Sequence, residues 1–141
     1  MLRILIADDH AFIRKGLVQI LTDEFMSIYV EEAEDTQALL ELAFKQPWDL
    51  IISDISMPGG GGLEALGIIK EKLPGQLVLI LSIYPEDQYA LRVMLAGAAG
   101  YLNKDAAPED LVVAVKRVLS GEKYITPPVA EQMHQEEQRN K

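Results

Sequence analysis

Cysteine is missing from all 141 residues. Its absence excludes disulfides, thiolate metal centres and cysteine nucleophiles, and it fits a reducing compartment. Positive charge is also scarce. Thirteen Lys and Arg stand against 22 Asp and Glu, for a formal charge of -9. So acidic a chain is a poor nucleic-acid binder, because phosphates must be met by a basic surface. No apolar run is long enough to cross a bilayer, and the N-terminus enters a strand pattern with no signal-peptide features. A cytoplasmic protein without membrane contact is expected. Neither a Gly-x-Gly-x-x-Gly nor a Walker-type Gly-Lys-Ser loop occurs, which disfavours dinucleotide and NTP binding. What the chain does have is apolar content, at 49%. That suffices for one domain with a core, and the length is too short for two ordinary ones.

Short apolar runs alternate with helical patterns. The runs are Arg3–Ala7, Ile28–Ala33, Asp49–Ser53, Leu77–Leu81 and Gly100–Asn103. The first, third and fourth are nearly continuous Ile, Leu and Val, as parallel strands covered on both faces require. Helices are expected over Ala11–Thr22, Thr36–Lys45, Leu63–Lys72, Gln88–Ala96 and Pro108–Ser120. Asp35 or Thr36 can cap the second, Pro108 suits a first turn, and Gly121 follows the last periodic residue. Strict β-then-α alternation implies an α/β fold with right-handed crossovers. The expected form is a doubly wound, five-stranded parallel sheet in the order 2-1-3-4-5. Residues 1–121 make up this domain. Residues 122–141 read as a polar linker or short C-terminal helix.

In such a sheet, ligands bind beyond the carboxyl ends of the strands, at the switch in strand order. Asp8 and Asp9 leave the first strand there, Asp54 the third, Ser82 the fourth and Lys104 the fifth. Clustered carboxylates repel one another and need a partner. A hard divalent ion such as Mg2+ supplies it. A carboxylate nucleophile at Asp54, a metal, the Lys104 ammonium and the Ser82 hydroxyl make up a phosphoryl-transfer site that ends in an aspartyl phosphate.

Ala7-Asp8-Asp9-His10, Asp54-Ile55-Ser56-Met57-Pro58-Gly59, Leu81-Ser82 and Leu102-Asn103-Lys104-Asp105 resemble the receiver domain of two-component response regulators. That family has a flavodoxin-like, three-layer α/β/α sandwich. Gly62-Leu63-Glu64-Ala65-Leu66, the run Gly97–Lys104 and Gly121-Glu122-Lys123-Tyr124 are closest to the subfamily whose receivers precede a helix-turn-helix effector (the NarL/FixJ, LuxR type). The resemblance implies that Asp54 accepts a phosphoryl group from a sensor histidine kinase. It implies that Asp9 and Asp54 ligate Mg2+, that Asp8 helps partly through water, and that the Ser56 backbone carbonyl completes the set. Lys104 would pair with the phosphoryl oxygens. Ser82 would move toward the phosphoryl group and Tyr101 would turn inward behind it. A homodimer on activation and regulated transcription are implied, with DNA reached only through an effector domain that does not follow here. The chain reads as a fragment cut in the linker, a lone receiver being the alternative. Two departures stand out. Ile83 is bulky where many receivers carry Ala or Gly and would restrict access to Asp54. The run Gly59–Gly62 should be mobile.

Competing readings are weaker. Asp8 and Asp9 could merely cap a helix, and Asp54 could be a turn residue. A haloacid dehalogenase-type phosphatase needs a second acid where Ser56 stands. A flavin phosphate would be repelled by Asp8 and Asp9. A receiver that works by contacts alone, without phosphorylation, remains an alternative. No enzyme is expected beyond self-catalysed phosphoryl acceptance and slow hydrolysis. The fourth helix is apolar nearly all round, which suits either burial or a partner surface.

Overall fold

The computed structural model describes residues 1–57, 59, 61–84 and 86–139. In chain order the elements are β1 (Leu2–Ala7), α1 (Ala11–Glu24), β2 (Ile28–Ala33), α2 (Thr36–Lys45), β3 (Leu50–Asp54), α3 (Gly62–Lys72), β4 (Val78–Ser82), α4 (Glu86–Leu95), β5 (Gly100–Asn103), α5 (Pro108–Leu119) and α6 (Pro127–Arg139). The strands form one parallel sheet in the order β2-β1-β3-β4-β5, as the alternating pattern predicts.

Strand side chains alternate between two layers. Leu5, Ala7, Ile51 and Ile80 join the layer of α2, α3 and α4. Ile4, Ile6, Leu50, Ile52, Leu79 and Leu81 join the layer of α1 and α5. Each fully buried Leu or Ile contributes about 1.5–3 kcal/mol of transfer free energy, so the three central strands hold most of the core. Local signals agree with this frame. Asp35 Oδ1 accepts from Ala38 N–H at 2.8 Å and caps α2. Pro108 opens α5, where a missing N–H costs nothing. Trp48 is anchored at both ends: its Nε1–H donates to the Leu42 carbonyl at 2.9 Å, and its ring stacks on Tyr29.

The structure bears on three further expectations. The tail, read as a polar linker or a short C-terminal helix, contains the helix α6 and is tied to the domain. Tyr124 pairs with the β5 edge, its N–H donating to the Ala99 carbonyl at 3.0 Å and its own carbonyl accepting from Tyr101 N–H at 3.1 Å. Beyond it, Val129 and Met133, one helical turn apart on α6, are buried with Ala90, Val93 and Met94 of α4. One side of α4 is thus core and tail-covered, while Leu95 is exposed. The expectation of slack at Gly59–Gly62 falls partly on Gly60, outside the described residues. Close packing governs Gly62, where a Cβ would overlap the Asp54 carbonyl. Ile83, the residue after β4, is 63% exposed.

Candidate functional site

Because β1, β3, β4 and β5 run parallel and lie side by side, their carboxyl ends share one edge. Register brings them level: Ala7 pairs with Ser53, Asp54 with Leu81, and Ser82 with Asn103. Asp8 therefore follows β1, Asp54 ends β3, Ser82 ends β4, and Lys104 follows β5.

The cluster centres on Lys104. Its ammonium lies 2.8 Å from Asp8 Oδ2 and 2.8 Å from Asp54 Oδ2. All three side chains are buried, that of Lys104 being only 4% exposed. Asp8 Oδ2 has no donor in hydrogen-bond alignment; the Lys104 ammonium is its ion partner. Asp54 Oδ1 accepts from Ser56 N–H at 3.1 Å. Asp8 Oδ1 accepts from His10 N–H at 2.8 Å, and Arg14 Nη1 donates to the Asp8 carbonyl at 2.6 Å. Asp9 forms the open side, its side chain 33% exposed. Ligand atoms of Asp8, Asp9, His10 and Asp54 all lie within 4.8 Å of one another. The capping alternative fails, since His10 occupies the N-cap of α1 and no side chain caps it.

Charge tells what the cluster lacks. Burial raises the Asp54 pKa, and the Lys104 and Ser56 hydrogen bonds only partly offset it. Burial acts to lower the Lys104 pKa, but the hydrogen bond to Asp54 and the attraction of Asp54 and Asp8 outweigh it and the net shift is upward. The two directions agree on one point: a single ammonium is shared between two buried carboxylates and cannot satisfy both. Asp8, Asp9 and Asp54 bring three negative charges and Lys104 one positive. The deficit of two equals one divalent cation, and the donor atoms are oxygens of the kind Mg2+ prefers. An acidic cluster able to hold a metal ion is thus in place.

Behind this rim the structure shows a linkage absent from the sequence pattern. Ser82 Oγ accepts from Tyr84 N–H at 2.9 Å, and Tyr101 Oη donates to the Tyr84 carbonyl at 3.0 Å. Tyr84 thus joins the end of β4 to the aromatic of β5. Tyr101, which the resemblance has turning inward behind Ser82, is buried in this structure. The Tyr84 carbonyl and the core around Val129 and Met133 hold it there. Two of the partners, Tyr84 and His10, act through contacts that spacing does not reveal.

A parallel α/β sheet carrying these groups at its carboxyl edge defines a class, and comparison supplies its family. Residues 4–116 match the response regulator receiver domain, and the chain belongs to that family of two-component signalling proteins. The response regulator GacA of Pseudomonas aeruginosa is 36% identical over 133 residues, which cover 94% of this chain and 62% of GacA. The chain therefore spans about three fifths of that relative's length. A two-component response regulator of the LuxR family from Aurantimonas sp. SI85-9A1 superposes with a TM-score of 0.83 at 29% identity, over 96% of each chain. The RcsB response regulator of Salmonella typhimurium, whose conformational dynamism for DNA interaction has been described, gives 0.84 at 26% identity, over 95% of this chain and 70% of RcsB. No helix among the described residues is long and apolar enough to cross a membrane.

Proposed function

We propose that this receiver is a Mg2+-dependent phosphoacceptor switch in which Asp54 takes a phosphoryl group from a sensor histidine kinase. The observation that carries this reading is the Lys104 ammonium 2.8 Å from both Asp8 and Asp54, beside the Asp9 carboxylate. Asp9, Asp54 and the Ser56 backbone carbonyl would hold the cation, with Asp8 behind them. When bound, Mg2+ supplies the positive charge that phosphoryl oxygens need.

The chain's own groups do the rest. Asp54 offers a carboxylate oxygen as nucleophile. Lys104 balances charge before transfer and stays to meet the phosphoryl oxygens after it. Ser82 contributes a hydroxyl donor, and in turning toward a phosphoryl group it gives up the Tyr84 N–H it now accepts. Tyr84 also receives the Tyr101 hydroxyl, so the change passes to β5, α4 and the tail packed on them. This route makes the domain a signalling element whose only chemistry is self-phosphorylation and slow hydrolysis. Output is proposed to run through dimerisation and a DNA-binding effector region outside this chain, as the relative's greater length and the RcsB likeness suggest. A cytoplasmic location follows from that role.

One observation favours a competing reading, a receiver acting by contacts alone: Asp54 is only 3% exposed. Incubation with acetyl phosphate and Mg2+ separates the two. The switch reading expects the intact mass to rise by one phosphoryl group and expects Asp54→Asn to abolish the rise. A parent that gains no mass, or a variant that gains as much, sinks it.

A further inference from the structure

His10 is the residue of this rim whose chemistry the switch reading leaves unused. Its Nδ1 lies 3.1 Å from Asp8 Oδ1 and 3.1 Å from Asp9 Oδ1. Its backbone is pinned by the N–H bond to Asp8 Oδ1, and α1 begins at the next residue. The ring is therefore aimed at the carboxylates by position. Its side chain is 62% exposed, so packing does not force it there. An octahedral cation with bonds of about 2.1 Å has adjacent ligands about 3.0 Å apart. The Nδ1-to-oxygen spacings match such an edge.

We propose that His10 is a ligand of the divalent-cation site through Nδ1, giving this receiver a nitrogen donor that favours Zn2+, Co2+ or Ni2+ relative to Mg2+. The inference rests on the cation-site reading above and adds a selectivity to it. Imidazole suits these cations, whereas Mg2+ prefers oxygen and sheds water reluctantly. A neutral imidazole can present either a proton or a lone pair at Nδ1. A cation among these groups takes the Nδ1 lone pair, and the neutral ring keeps its one proton on the outward Nε2. Mg2+ leaves the ring in its original form, because Asp9 and Asp54 satisfy it.

Imidazole 15N NMR of the untagged 15N-labelled protein, titrated with Zn2+ and separately with Mg2+, tests this. The chain has only two histidines, and His134 on α6 serves as the internal control. Zn2+ should move the His10 Nδ1 resonance into the metal-bound range with the proton on Nε2, leaving His134 unchanged. Mg2+ should perturb the Asp9 and Asp54 signals while His10 keeps its pattern. His10→Ala should weaken Zn2+ binding by about tenfold or more and Mg2+ binding by less than about twofold. If Zn2+ shifts Asp9 and Asp54 without touching His10, the ligand assignment falls and the cation site stands. If neither ion moves Asp9 or Asp54, both fall together.

Discussion

Lys104→Met keeps the aliphatic stem and deletes the ammonium, so it isolates the charge. Asp8 and Asp54 then share a buried space with no cation between them. Removing one partner of a buried ion pair costs about 3–5 kcal/mol. The His10 and Ser56 N–H groups still serve one oxygen of each carboxylate, which puts the loss near the lower end, about 3 kcal/mol. A domain stable by about 5–15 kcal/mol survives that. With a urea slope of about 1.5 kcal/mol/M, the unfolding midpoint falls by about 2 M. Without the Lys104 hydrogen bond, nothing but Ser56 N–H offsets the burial that raises the Asp54 pKa, so protonation of Asp54 favours the fold. The deficit is therefore full at neutral pH and shrinks as pH falls toward the ordinary carboxylate range. Mg2+ restores part of it by mass action, and Asp54→Asn in the same chain restores part without metal. Urea unfolding at pH 7 and pH 4.5, with and without Mg2+, measures all of this. A midpoint unchanged from the parent at pH 7 would refute the reasoning, because Lys104 would then not be neutralising buried charge.

Asp54→Asn alone should act in the opposite sense. Burial raises the Asp54 pKa from 3.8, so its contribution favours the fold below that value and is lost as pH rises through the folded pKa. Without metal the variant should outlast the parent in urea at pH 7, with the gap closing below pH 4. Lys104 titrates at the other end. Its pKa is raised from 10.5, so its stabilisation is complete below 10.5 and fades as pH climbs through the folded value, which makes the parent lose more stability in strong alkali than Lys104→Met does. Gly62→Ala should cost about 1–3 kcal/mol because its Cβ meets the Asp54 carbonyl. Gly67→Ala on α3, with open space around it, should gain about 0.5–1 kcal/mol in the same unfolding assay. Met133→Asp should undock α6 from α4, so hydrogen exchange over 127–139 should accelerate while β1 and β3 keep their protection.

The sheet was legible because β1, β3 and β4 are buried on both faces and so read as nearly unbroken Ile, Leu and Val, while Asp35 and Pro108 punctuate α2 and α5. The acidic rim was legible for the same reason: a charged residue closing such a run is costly unless it is used. Boundaries shifted by a residue or two, since Asp54 and Ser82 belong to their strands. Three features were not legible. Val129 and Met133 are isolated apolar residues in a polar stretch, and only the α4 surface gives them weight. Tyr84 links Ser82 to Tyr101 through its backbone, and backbone groups leave no trace in residue identity. His10 reaches two carboxylates because of how the chain turns into α1, which spacing does not reveal.

The central claim concerns one oxygen-bearing side chain and the bond it forms. Borohydride reduces an aspartyl phosphate to homoserine, which marks the modified residue permanently. The protein should be treated with acetyl phosphate and Mg2+, reduced, digested and mapped by mass spectrometry. The account predicts homoserine at position 54, and none when Mg2+ is withheld. Homoserine at position 8 or 9, or none under any condition, would contradict it.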